Sequence, residues 1–81
     1  MNITTGSVVR AKAGRDKDNF FIVLKVEDGY AYIADGRRRK AEAPKKKKLI
    51  HLSATNVCLC DTMDTNRKIR TALRTFSEST L

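Results

Sequence analysis

Arg37, Arg38, Arg39 and Lys40 stand next to one another, and after four intervening residues Lys45, Lys46, Lys47 and Lys48 follow in the same way. The chemistry these residues offer is the binding of phosphate or another polyanion. An arginine clamps a phosphate with two parallel hydrogen bonds, and a lysine acts as a mobile point charge. From Arg37 to Lys48 there are eight bases and one acid, Glu42, a net of +7 in a chain whose total is +8. The rest of the sequence is close to neutral. Charge concentrated in this way points to a polyanion partner, whereas a general solubility device would spread it over the surface. Pro44 divides the stretch into an arginine half and a lysine half and favours an extended backbone at Ala43. The plain alternative is a solvated loop. Against it, the stretch lies between two apolar segments in mid-chain.

Other chemistry has less support. Arg15 and Lys17 flank Asp16 in a polar segment. They suit phosphate contact, or a turn in which Asp16 bonds to nearby backbone amides. Tyr30 and Tyr32 share one strand face, where they either stack on unpaired bases or cover a half-buried surface with their hydroxyls in water. His51 is the only histidine; with Cys58 and Cys60 it makes three soft ligands without a fourth, so no metal is expected. RNA contact or capping of the barrel edge suits His51 better, and the cysteines read as small apolar side chains. No serine–histidine–acid arrangement, GxxxxGK[ST] loop or carboxylate pair can be placed. The expectation is a protein that is not an enzyme and needs no cofactor.

Eighty-one residues allow one domain, and a domain this small buries only about 60% of its unfolded surface. A deep substrate pocket is not expected. The hydrophobic share of 41% supports a modest core, and an isoelectric point near 9.9 favours a nucleic-acid partner. No apolar run approaches the roughly 20 residues that cross a membrane, and the N-terminus lacks a secretion-signal pattern. A cytoplasmic monomer with reduced thiols and no membrane partner is the expectation.

The elements that must position the bases are mostly strands. Residues 1–5 read as a flexible N-terminus and 6–60 as a small antiparallel barrel containing the basic segment 37–48. From Val8 the residues alternate, with Val9, Ala11 and Ala13 on one side, which predicts a strand with one buried face. Residues 13–19 form a loop. Phe20 to Val26 reads as the best-buried strand, with Phe20, Ile22, Leu24 and Val26 on one face and Phe21, Val23 and Lys25 on the other. Asp28-Gly29 predicts a tight hairpin because both residues tolerate positive φ. Tyr30 to Ala34 returns as a third strand, and Asp35-Gly36 forms a second turn that presents the bases. Leu49 to Leu52 is a short apolar return, residues 53–56 a turn, and residues 57–60 a last strand. Residues 64–77 predict an amphipathic helix capped by Asp64 or Thr65. Its apolar face is Ile69, Ala72, Leu73 and Phe76; Arg67, Lys68, Arg70 and Arg74 occupy much of the rest.

The strand–loop–strand pattern resembles a KOW motif in Gly6 to Val9, in AGRDK at Ala13–Lys17, in Phe20 to Val26 and in IADG at Ile33–Gly36. The longer run from Gly6 to Leu52, with its arginine–lysine cluster, PKKKK at Pro44–Lys48 and Ile50-His51-Leu52, resembles the KOW-domain RNA-binding proteins related to large-subunit ribosomal protein L-fourteen-e. These features cover a little over half the chain. The resemblance implies an SH3-like barrel that binds ribosomal or other structured RNA. One departure is that the family often has glycine after the lysine of AGRDK, where this chain has Asp18 and Asn19; either residue tolerates the left-handed conformation at modest cost.

The functional expectation is therefore an RNA-binding protein associated with the ribosome or translation. It would grip phosphates through Arg15, Lys17, Arg37, Arg38, Arg39, Lys40, Lys45, Lys46, Lys47, Lys48 and His51. The rival is a protein-interaction module docking on the transcription or translation machinery, with ribosomal or transcription proteins as partners.

Overall fold

The computed structural model describes residues 2–59 and 63–79. Five strands form one antiparallel sheet: β1 (Ser7–Ala11), β2 (Phe20–Glu27), β3 (Tyr30–Ala34), β4 (Lys45–Lys48) and β5 (Leu52–Cys58). Their order is β4-β3-β2-β1-β5, so β4 and β5 are the edges. A 3-10 turn (Leu49–His51) joins the edge strands, and one helix, α1 (Asn66–Ser79), follows β5. The fold is thus a mostly β, barrel-like domain with a C-terminal helix. No helix of the described residues is long and apolar enough to cross a membrane.

The sheet has two cores because both of its faces are covered. Val9, Ala11, Phe21, Val23, Ala31, Ile33 and Leu52 fill the inner face. Val8, Ile22 and Ala34 point the other way and meet Ile69 and Phe76 of α1, with Ala72 and Leu73 packed alongside. The helical periodicity of Ile69, Ala72, Leu73 and Phe76 is this docking face. Each large side chain buried in full contributes about 1.5–3 kcal/mol, and Phe21, Ile22, Ile33 and Ile69 are all in that state. The helix also explains why β1 is buried on both faces, where alternation predicted one: Val8 lies under α1 and Val9 lies inside the sheet.

The turns follow their residue types. Asp28 (φ 50°) and Gly29 (φ 81°) both take the positive φ that the hairpin requires. At the end of the first loop Asp18, at φ 70°, is the residue that turns left-handed. Thr65 caps α1, its hydroxyl accepting from the Lys68 amide at 3.2 Å.

Three expectations about the strands are corrected. The lysine run is itself strand β4, and the apolar Leu49–His51 is a 3-10 turn. Residues 53–56, expected as a turn, lie within β5, where Arg10 and Val9 pair with Ser53 and Ala54. β2 is buried only at Phe21, Ile22 and Val23, while Phe20 and Val26 are 38% and 37% exposed. A bulge also breaks the expected alternation: Val23 pairs with Ile33, but Lys25, two residues on, pairs with the very next residue, Tyr32. The extra residue, Leu24, resets the alternation, so Lys25 joins Tyr32 on the outer face and Val26 pairs with Ala31. Cys58 is also exposed, not an apolar core residue; Cys60 lies outside the described residues.

Gly36 marks a close approach between the arginine loop and the helix. Its φ is 79°, and a Cβ there would stand 2.5 Å from the Asn66 carbonyl oxygen and 2.8 Å from Cγ of Arg70. The left-handed backbone alone costs a residue with a Cβ about 1–2 kcal/mol. Gly36→Ala is therefore expected to lower stability by roughly 2 kcal/mol or more in urea denaturation. A loss under about 0.5 kcal/mol would contradict the close approach.

Candidate nucleic-acid interface

The basic stretch folds as a short, tied loop followed by a strand. Asp35 begins the loop: its Oδ1 accepts from the amides of Arg37 and Arg39, both at 2.9 Å. The amides of Asp35 and Gly36 in turn donate to the Arg39 carbonyl at 2.9 and 3.1 Å. The helix holds the remainder. Arg70 Nη1 donates to the Gly36 carbonyl at 2.8 Å. Asn66 accepts from the Ala41 amide at 2.7 Å and donates to Glu42 at 2.8 Å. Pinned at both ends, the loop exposes Arg37, Arg38 and Lys40.

Arg39 points to a different task. Its Nη2 lies 3.0 Å from Oδ2 of Asp16, which is only 4% exposed. A carboxylate so far from water requires a charged or hydrogen-bonded partner, and this one comes from a loop 23 residues away in sequence. One of the two readings had Asp16 bonding to neighbouring amides; instead it ties the 13–18 loop to the arginine loop. Arg15 and Lys17, on either side of it, remain exposed. The Arg39 Nε is buried without a hydrogen-bond partner among the described residues, so a single nitrogen carries the link.

The lysines of β4 are likewise divided by register. Tyr30 pairs with Lys48 and Tyr32 with Lys46, so these four share the outer face; Ala31 pairs with Lys47 and Ile33 with Lys45. On the outer face the Lys46 ammonium lies 4.5 Å from the centre of the Tyr30 ring, and Lys25 lies 5.8 Å from that of Tyr32. On the other side Lys47 donates to the Ala13 carbonyl at 2.8 Å, closing the 13–18 loop over the sheet. Lys45, Lys46 and Lys48 are exposed, and Lys47 is half-buried.

His51 is not brought to either group of bases by any described hydrogen bond. It sits in the 3-10 turn, where its carbonyl accepts from the Lys12 amide at 2.8 Å. Two basic surfaces result. One is the outer face of β2, β3 and β4, bearing Lys25, Tyr30, Tyr32, Lys46 and Lys48. The other is a cleft between the arginine loop and α1, lined by Phe20, Arg37, Arg38, Arg70 and Arg74. Lys25 and Phe20 were not expected in a site. The bulge that turns Lys25 outward leaves no mark in the residue types, whereas Phe20 beside Asn19 at a loop end was visible as an aromatic on a strand boundary. On the basic side of α1, Arg70 and Arg74 line the cleft.

Acids near these surfaces are held ionised. The Lys25 ammonium, 2.9 Å away, hydrogen-bonds Glu27 and lowers its pKa below the usual 4.5. The hydrogen bond from Asn66 lowers that of Glu42, and the bond and charge of Lys68 lower that of Asp64. A depressed folded-state pKa gives stability that is present above the unfolded value and is lost as pH falls through the folded one. These carboxylates are exposed, so the stability they contribute is small, and what there is falls as the pH drops below 4.5. In a carboxyl NMR titration Lys25→Met should move the Glu27 midpoint upward. An unmoved midpoint would contradict the pair.

A scan against protein-family models finds no match to this chain, and a search of curated proteins finds none either.

Proposed function

We propose that this protein binds RNA through the outer face of β2, β3 and β4, helped by the exposed bases of the two tied loops. The observation that carries the reading is the register of β3 on β4, which sets Tyr30 and Tyr32 in one row beside Lys48 and Lys46. Aromatic rings flanked by ammonium groups suit a nucleic-acid strand, because bases stack on the rings while phosphates meet the charges. The resemblance to KOW-domain RNA-binding proteins points the same way and favours ribosomal RNA or a translation-related role. Arg39 and Lys47 are assigned to holding the loops; Arg15, Lys17, Arg37, Arg38, Lys40, Lys45, Lys46 and Lys48 remain as phosphate contacts.

If about five bases meet phosphates, the log–log dependence of affinity on salt has a slope near −3.5 on a single strand and near −4.5 on a duplex. Fluorescence anisotropy with labelled RNA measures it. Lys46→Gln with Lys48→Gln should flatten the slope by about 1–2. Arg37→Gln with Arg38→Gln should act similarly without loss of stability. Arg39→Gln should instead destabilise the fold by roughly 1–3 kcal/mol, the usual cost of leaving a buried charged group without its hydrogen bond. An unchanged slope in the lysine pair would overturn the assignment of this face. Retention of one protein partner after nuclease treatment, with no RNA binding, would favour the rival protein-interaction reading.

A further inference from the structure

The cleft between the arginine loop and α1 differs in chemistry from the Tyr–Lys face. Its volume is about 430 Å³, within the range of small-molecule sites. Four arginines line it: Arg37 and Arg38 from the loop, Arg70 and Arg74 from the helix. Arg70 is fixed by its bond to the Gly36 carbonyl at 2.8 Å, and a guanidinium has five N–H donors, so most of its donors stay uncommitted. Among the described residues no ion pair engages Arg37, Arg38 or Arg74. The acid in the wall, Asp35, already accepts two backbone amides at 2.9 Å.

The cleft also has an aromatic wall. Phe20 is 38% exposed, yet its ring is braced by Phe76, with the ring centres 5.1 Å apart and the planes at 54°. An exposed phenylalanine held in place beside several arginines is a poor way to hold a bare phosphate, which gains nothing from the ring. A base attached to that phosphate does gain. Asn19, in the same wall, adds an amide donor and acceptor for a base edge. A fully paired duplex would leave the ring without a partner, since its bases are already stacked on one another.

We propose that this cleft binds one unpaired nucleotide, its base against Phe20 and its phosphate among Arg37, Arg38, Arg70 and Arg74. The proposal rests on the RNA reading for the source of that nucleotide, a bulge or single-stranded stretch. The cleft itself is testable separately.

Two arms test it, both on the full chain. In the first, adenosine 5′-monophosphate is titrated into isotope-labelled protein, with inorganic phosphate as the comparison. The nucleotide should shift the amide signals of Asn19, Phe20, Arg37, Arg38 and Arg74 further than phosphate does. Phe20→Leu keeps an apolar contact with Phe76 and removes the stacking surface; it should weaken nucleotide binding about fivefold or more. Equal shifts with nucleotide and phosphate, or shifts confined to β3 and β4, would overturn the site. In the second arm, RNA hairpins with and without a single bulged nucleotide are compared by anisotropy. The wild type should prefer the bulged hairpin, and Phe20→Leu should erase the preference while leaving affinity for the paired hairpin intact. Nucleotide binding in the cleft without a bulge preference would overturn the RNA source and leave a free nucleotide as the ligand. A bulge preference that survives Phe20→Leu would overturn the role of the cleft even if the RNA reading stands. Loss of RNA binding only in the Lys46 and Lys48 variants would uphold that reading and not this one.

Discussion

Asp16 is a carboxylate taken almost wholly out of water, and its position depends on a guanidinium from a distant loop. The other ion pairs among the described residues join side chains that are 46–66% exposed, where a pair contributes about 0–1 kcal/mol. Asp16 with Arg39 is different in kind, because removing Arg39 leaves a desolvated carboxylate behind. That asymmetry fixes the relation of the 13–18 loop to the arginine loop. Once that relation is fixed, the Gly36 turn meets α1 and Asn66 receives the loop's far end. The arginine loop takes its present form with one arginine, Arg39, turned inward to Asp16 and so withheld from the cleft.

The same economy runs through β4. In sequence the four lysines are equivalent; in the sheet they are not. Lys46 lies over Tyr30, Lys47 bonds to the 13–18 loop, and Lys45 and Lys48 remain exposed. The arginine run divides similarly, with Arg39 facing inward to Asp16 and Arg37 and Arg38 lining the cleft. A cluster of like charges tolerates such close spacing because three members, Arg39, Lys46 and Lys47, are turned toward a carboxylate, an aromatic ring and a carbonyl.

Much of the fold could be read from the residues. The strand character of β1 and β3, the Asp28-Gly29 hairpin and the apolar face of α1 each follow from a local rule that the tertiary structure leaves in force. What could not be read depends on longer-range facts. Lysines have low strand preference, and β4 is a strand because β3 offers it an edge. The bulge at Leu24 has no glycine to announce it. Burial of both faces of β1 depends on where α1 docks. For the candidate site, the concentration of bases was plain from the start, but the roles of Arg39 and Lys47 required knowing that the 13–18 loop lies beside them. Phe20 looked like core because its neighbours are core.

An edge strand leaves a row of backbone donors and acceptors open to any other strand that arrives. In β4 that row is carried by four lysines, half of them directed to each face. A second copy approaching along this edge would set ammonium against ammonium at every pairing position. The lysines proposed to meet a polyanion thus also set like charges against pairing along this edge. Under the proposed reading, resistance to edge pairing and ligand capture are one property of β4, and a change that weakens the first weakens the second.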